Sequence, residues 1–260
     1  MWVERLARLG YAAKGIVYAI VGVLAVQAAF GSGGKTTDTT GALGTVAAQP
    51  FGKILLTLLT VGLIGYVIWS FVQAIKDPEH QSDGAKSWAR RLGYALTGLA
   101  YGGLAVSAIQ LIRGSGGGGG GNSQQDWTAR VLAQPFGQWL VALIGAFIIG
   151  LGFYQLYKAY KAKFRKQMKL QEMTSTEEMW ATRIGRFGEA ARGIVFTITG
   201  FFLIQAARQS DPNQVRGLDG ALQALAQQPY GPWLLGIVAL GLVAYGIHMG
   251  VQARYRRIHT

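Results

Sequence analysis

Apolar positions gather into six long runs, at 12–30, 53–75, 95–112, 138–158, 190–208 and 233–253, with polar connections between them. Most of the runs approach the roughly 20 residues needed to cross a bilayer core. The pattern predicts an all-α integral membrane protein with six transmembrane helices. A soluble bundle is the competing reading, but six such runs in a chain of 260 residues leave little polar surface.

The runs are not independent. One block opens at Arg8-Leu9-Gly10-Tyr11, again at Arg91-Leu92-Gly93-Tyr94 and a third time at Arg186-Phe187-Gly188-Glu189. Each copy continues to a glutamine, Gln27, Gln110 or Gln205. A second block follows in each copy: Gln49-Pro50-Phe51-Gly52, Gln134-Pro135-Phe136-Gly137 and Gln228-Pro229-Tyr230-Gly231. Two blocks in the same order three times make three tandem two-helix repeats, set at 1–80, 81–165 and 166–260. Two crossings return each copy to the same side, so the copies are parallel and a pseudo-threefold arrangement about the membrane normal is expected. Arg5, Arg8 and Lys14 before an apolar run resemble a signal peptide. The same pattern recurs inside the chain, so the first helix is expected to stay in the bundle.

The connections within each repeat share a plan. Flexible glycine or polar stretches come first, including the run Gly116 to Gly121, which lacks the Lys-Ser/Thr ending of a phosphate-binding loop. A short interfacial amphipathic helix is predicted next, at 41–48, 126–133 and 219–227. Leu43, Val46 and Ala47 form its apolar side in the first copy, and Thr39 or Thr40, Asp126 and Asp219 are its expected caps. The Gln-Pro-aromatic-Gly block then turns the chain into the next helix. Gln49, Pro50, Gln134, Pro135, Gln228 and Pro229 are read as turn residues, with a shared vestibule as their functional alternative.

Charge orients the bundle. Of 25 Lys and Arg, only Lys35, Lys53, Arg113, Arg130, Arg208 and Arg216 lie on one side, and the rest lie on the side of the termini. The positive-inside rule puts both termini in the cytoplasm, here across a bacterial inner membrane. The net charge of +13 is thus assigned to anionic lipid head groups on the cytoplasmic side, not to nucleic acid. The basic run from Lys158 to Lys169 is expected to extend the fourth helix as a solvated, lipid-facing face. A protein partner or a second copy is left open.

Chemistry is sparse. The chain has no Cys, and His80, His248 and His259 are not at metal-ligand spacing, so no catalytic residues, cofactor or metal are expected. Glu189 is expected to pair locally with Arg192 or Arg186. His248 is the one titratable group well inside a predicted helix, at the repeat position of Trp69 and Tyr154, where an interface anchor is the plainer reading. Polar positions recur at the helix ends: Gln27, Gln110 and Gln205 at one, Lys14, Thr97 and Arg192 at the other. Around an axis these sets would make two rings suited to a small anionic or polar solute. The plainer reading is inter-helix bonding and snorkelling. Gly98 with Gly102 and Gly246 with Gly250 are GxxxG steps that predict close helix packing.

The Arg-x-Gly openings at Arg8, Arg91 and Arg186, with their Gly-(Ile/Leu)-x-Tyr/Phe continuation, resemble a bacterial membrane-protein family known as domain of unknown function 1206. The Gln-Pro-aromatic-Gly turns carry the same resemblance, which covers essentially the whole chain. It implies a three-repeat membrane protein and supplies no activity. Thr97 departs from the cationic position held by Lys14 and Arg192. The leading functional reading is a non-enzymatic scaffold or interaction module, and the alternative is a small-solute channel or transporter along the axis.

Overall fold

A computed structural model describes residues 2–31, 33–76, 85–114 and 120–258. His80, His259 and most of the Gly116–Gly121 run lie outside them. The described chain forms α1 (Trp2–Ala29), α2 (Thr39–Ala47), α3 (Gly52–Lys76), α4 (Ala85–Ile112), α5 (Gly120–Leu132), α6 (Gly137–Tyr160), α7 (Ser175–Gln209), α8 (Leu218–Ala226) and α9 (Gly231–Tyr255). Helices α1, α3, α4, α6, α7 and α9 are long and apolar enough to cross a membrane. Both termini leave the bundle at one end, called here the termini end. The helices α2, α5 and α8 lie at the far end.

The packing order is a chain of neighbours. Helix α1 packs on α3 and α9, α3 on α4, α9 on α7, and α7 on α6. Within the first and third repeats the two long helices pack on each other. Those of the second repeat, α4 and α6, do not pack along their length. They are also the two least buried spans.

Seven-residue spacing writes one outward stripe on each odd helix of the repeats. It comprises Leu9, Ile16 and Val23 on α1, and Leu99 and Val106 on α4 after Leu92. On α7 it runs through Phe187, Ile194 and Phe201. Apolar side chains exposed at this spacing suit lipid contact. The opposite face is buried and holds the close crossings. A methyl group at Gly15 would stand 2.7 Å from the Gly246 carbonyl oxygen, and one at Gly193 would stand 2.9 Å from that of Gly152. These are the same repeat positions at two inter-repeat contacts, and small residues let backbones approach that closely in lipid. Of the two GxxxG steps, only Gly98 and Gly246 meet a neighbour; Gly102 and Gly250 face open space.

Three expectations about the connections change. First, the apolar sides of α2 and α8 are spent on the bundle. Ala42, Leu43, Ala221 and Leu222 are fully buried in the main core beside Ala25 and Leu235. Second, α2 is capped by Asp38, whose side chain accepts from the Gly41 amide at 2.7 Å, and not by a threonine. Asp126 and Asp219 fall inside α5 and α8, which start earlier than the sequence suggests. Third, α6 does not continue through the basic run. It stops at Tyr160, and Ala162 takes a left-handed conformation with φ 46°. The segment beyond it folds back on α9: the Lys169 amide donates to the Tyr255 carbonyl at 2.7 Å, and Phe164 and Met168 are buried.

Each Gln-Pro-aromatic-Gly block is a tight turn. The glycine amide donates back to the glutamine carbonyl at 2.8, 2.9 and 2.8 Å in the three copies. The aromatic residue carries a positive φ each time, 61° at Phe51, 65° at Phe136 and 62° at Tyr230. That is the type II geometry, with Pro first and a left-handed residue second. An aromatic in that region costs roughly 1–2 kcal/mol, and all three rings point outward, about four-fifths exposed. The glutamines and prolines of the turns are exposed as well.

Asp38 provides a test of pH dependence. Burial pushes its carboxyl above the ordinary value, against the Gly41 hydrogen bond that lowers it. An acid with a raised folded pKa binds more protons folded than unfolded, so stability rises as pH falls through that interval. Asp38→Asn keeps the cap and removes the desolvated charge. It is expected to match or exceed the wild-type melting temperature at pH 7 and to lose the acid-side gain. A melting series from pH 7 to 4 on the purified protein checks it.

Candidate functional site

The termini half of the core is polar. Lys14 on α1 and Arg192 on α7 hold the same repeat position, and each reaches the same tyrosine of its own repeat. Lys14 Nζ donates to Tyr66 Oη at 2.9 Å, and Arg192 Nη1 donates to Tyr245 Oη at 2.9 Å. Aromatic faces surround both cations. Lys14 Nζ lies 4.6 Å from the Tyr66 ring centre, 4.9 Å from Tyr101 and 5.7 Å from Tyr245. Arg192 Cζ lies 4.6 Å from Phe196, 4.9 Å from Tyr245 and 5.6 Å from Tyr18. The rings brace one another edge to face, Tyr66 on Tyr101 at 4.8 Å and Tyr18 on Tyr245 at 4.9 Å. A desolvated cation over such faces gains about 2 kcal/mol or more, which helps to hold Lys14 at only 3% exposure.

The second repeat lacks both halves of this clasp. Counting from the shared blocks, Thr97 stands where the cations stand and Leu151 where the tyrosines stand. The Thr97 hydroxyl donates to its own helix, to the Gly93 carbonyl at 2.7 Å. The repeat without the cation–tyrosine pair is the one whose long helices do not pack together. Thr97 thus separates from Lys14 and Arg192 in chemistry while keeping their place in the repeat.

A surplus of donors marks the centre. Among the described residues, the buried Tyr101 hydroxyl and Arg192 Nε have no hydrogen-bond partner. The Tyr66 and Tyr245 hydroxyls accept from cations and keep their own protons to give. Acceptors are scarce. The one buried carboxylate nearby, Glu189, is paired with Lys158 at 2.7 Å across α7 and α6, and not with Arg186 or Arg192. His248 Nε2 lies 4.0 Å from the same carboxylate. Two cations and several O–H donors thus stand beside few acceptors.

His248 is a core residue rather than an interface anchor. It is fully buried against Phe164, with ring centres 4.6 Å apart. The Gln252 amide nitrogen donates to its Nε2 at 2.7 Å, which puts the imidazole proton on Nδ1, and Arg256 donates to the Gln252 carbonyl oxygen at 2.9 Å. Arg256, Gln252 and His248 thus form a polar ladder from the end of α9 toward the centre.

The glutamines go elsewhere. Gln27 and Gln110 are exposed and Gln205 is half-buried. Each follows its helix's outward stripe, four residues beyond Val23, Val106 and Phe201. They do not join the buried centre. The far half of the core contains Ala25, Ala42, Leu43, Ala221, Leu222 and Leu235. Tyr18, Tyr66, Tyr101 and Tyr245 were missed by sequence reasoning. Their signal was recurrence at fixed offsets from the repeated blocks.

Six membrane-length helices in three repeats define a multi-pass membrane protein. The chain belongs to the family described as Domain of Unknown Function (DUF1206), whose model matches it three times, over residues 9–77, 92–162 and 187–256. It is also similar to an uncharacterized protein, YxxB, of Bacillus subtilis (strain 168). The two are 42% identical over 257 residues, spanning 99% of this chain and 92% of the relative. No solved structure matches it.

Proposed function

We propose that the protein is a non-enzymatic interaction module of the bacterial inner membrane that binds an anionic group at the Lys14–Arg192 centre. The observation that carries this reading is the donor surplus, a buried Lys14 and a half-buried Arg192 set among tyrosines, with the Glu189 carboxylate already paired. Burying like charges together is costly, and an anion between them offsets that cost. The basic excess at the termini end supports a cytoplasmic position for both termini. The ladder from Arg256 to His248 then points to access from the cytoplasm. The recurring contacts between the second long helix of one repeat and the first of the next, α3 with α4, α6 with α7 and α9 with α1, support a pseudo-threefold arrangement opened at the second repeat. At the far end α2 and α8 support a closed surface.

A conduit along the axis is the second reading. The apolar far half of the core and the outward glutamines weigh against it. Two measurements separate the readings. Inorganic phosphate, sulfate and chloride are added to the purified chain in an uncharged detergent at constant ionic strength. At least one is expected to raise the melting temperature, and Tyr101→Phe, which removes one donor and keeps the ring, is expected to blunt that rise. No response to any of the three ions, or equal responses in both proteins, would overturn anion binding. In loaded vesicles the protein is expected to leave the efflux of the same anions at the protein-free rate. Flux above that rate would replace the module by a conduit.

A further inference from the structure

At the termini end, a cavity of about 670 Å³ opens between α6 and α7. Two cations line it, Lys161 just past the end of α6 and Arg186 on α7, with the rings of Tyr160 and Phe187. Leu156 and Ala159 make its floor. The repeat explains why it is there. Arg8 holds the position of Arg186 at the junction of α9 with α1, and its guanidinium is fully engaged. It donates to the Ala253 carbonyl at 2.8 Å, to the Arg254 carbonyl, and to Glu4 at 2.9 Å. Ala159 and Tyr160 occupy the repeat positions of Ala253 and Arg254. Yet Arg186 makes no hydrogen bond or ion pair among the described residues, and the slot that Arg8 fills stands open. Among the described residues the Lys161 ammonium makes no ion pair and lies over the Tyr160 ring face, 5.4 Å from its centre.

The geometry points to this cavity as a site for the phosphate head group of an anionic phospholipid. Two cations, one from the end of α6 and one from α7, suit a phosphodiester, and guanidinium is the group suited to bidentate contact. The aliphatic floor and the exposed Phe187, which begins the outward stripe of α7, lead from the charged mouth onto a lipid-facing surface. A free phosphate has no use for that apolar path, whereas the acyl chains of a lipid follow it. Basic pockets between membrane helices at a cytoplasmic surface are suited to such head groups. The site shares no residue with the Lys14–Arg192 centre, so the two fail independently.

The test uses the full chain in an uncharged detergent, read by native mass spectrometry. Phosphatidylglycerol, phosphatidylcholine and soluble glycerol phosphate are the probes. The wild type is expected to retain phosphatidylglycerol over phosphatidylcholine and to bind glycerol phosphate far more weakly. Arg186→Gln with Lys161→Gln should weaken phosphatidylglycerol binding roughly thirtyfold, from two lost cationic contacts. Lys163→Gln with Lys166→Gln removes the same charge from the neighbouring surface and should leave binding within about twofold. Equal retention of both lipids, glycerol phosphate binding as strong as the lipid, or equal loss in the two double variants would each overturn the site. Melting curves of both double variants confirm that they are folded, which these exposed positions permit.

Discussion

Lys158→Met is expected to destabilise the protein by about 3–5 kcal/mol, the cost of breaking a buried ion pair from one side. Lys158 and Glu189 join α6 to α7 at 2.7 Å, and the Glu189 side chain is only 2% exposed. With the ammonium gone, the carboxylate loses its lysine partner and must either stay charged while buried, with His248 Nε2 4.0 Å away, or take up a proton. The converse change is milder. Lys158 is 21% exposed, so after Glu189→Gln its head can turn toward water. That variant should lose about 1 kcal/mol, near the worth of a single hydrogen bond. The double variant Lys158→Met with Glu189→Gln should recover most of the loss, because no uncompensated charge remains. For a chain of this size each kcal/mol moves the melting temperature by roughly 2–4 °C, so the single variant should melt at least 6 °C lower. A Lys158→Met protein melting within a degree of wild type, or a double variant as unstable as the single one, would show that the pair does not hold α6 to α7.

The sequence revealed most of the fold because the repeat and the apolar runs are long-range signals that local details do not blur. The three turns sit where those signals put them, and the six membrane-length helices cover the predicted runs, with α1, α4 and α7 starting 10, 10 and 15 residues earlier than expected. What stayed hidden depends on which face of each helix turns inward. Gln27 and Lys14 are both polar and recur in register, but Gln27 lies near the far end of α1 and Lys14 at its middle, not at the helix end that the sequence suggests. One follows an outward stripe and the other is buried among tyrosines. The stripe Leu9, Ile16, Val23 is as apolar as the inward face with Val17 and Val21, so in a membrane helix hydrophobicity does not distinguish inside from outside. Glycine does, and Gly15 and Gly22 sit on the side that meets α9. The basic run after α6 misled for a different reason. Its lysines suggest solvent, but Phe164 and Met168 alternate with them and find a partner surface on α9 that no local pattern announces. Glu189 was legible as a departure from Tyr11 and Tyr94, but its partner lies 31 residues back on another helix.

The same repeat position yields three different outcomes when a single methyl group is added. Gly10, Gly93 and Gly188 open the three repeats. A Cβ at Gly10 would stand 2.6 Å from the Tyr66 amide nitrogen, and one at Gly188 would stand 2.5 Å from that of Tyr245. Both obstacles are backbone of the partner helix in the same repeat, at the residue that clasps the cation. Neither can swing aside as a side chain can. Gly10→Ala and Gly188→Ala must therefore push α1 from α3, or α7 from α9, and each is expected to cost about 1–3 kcal/mol as overpacking. Each should also lengthen the Lys14–Tyr66 or Arg192–Tyr245 hydrogen bond and weaken any anion response of the centre. At Gly93 nothing lies within 4 Å, because α6 does not pack on α4. There the only effect is the better helix propensity of alanine, so Gly93→Ala should be neutral or stabilising by up to about 1 kcal/mol. Melting temperatures of the three variants in one detergent decide the matter. If Gly93→Ala falls as far as the other two, α4 and α6 are packed like the long helices of the other repeats, and the bundle is a closed ring. If only the first and third fall, the second repeat is the open side of the bundle, where Thr97 and Leu151 have replaced the cation and the tyrosine that clasp the others.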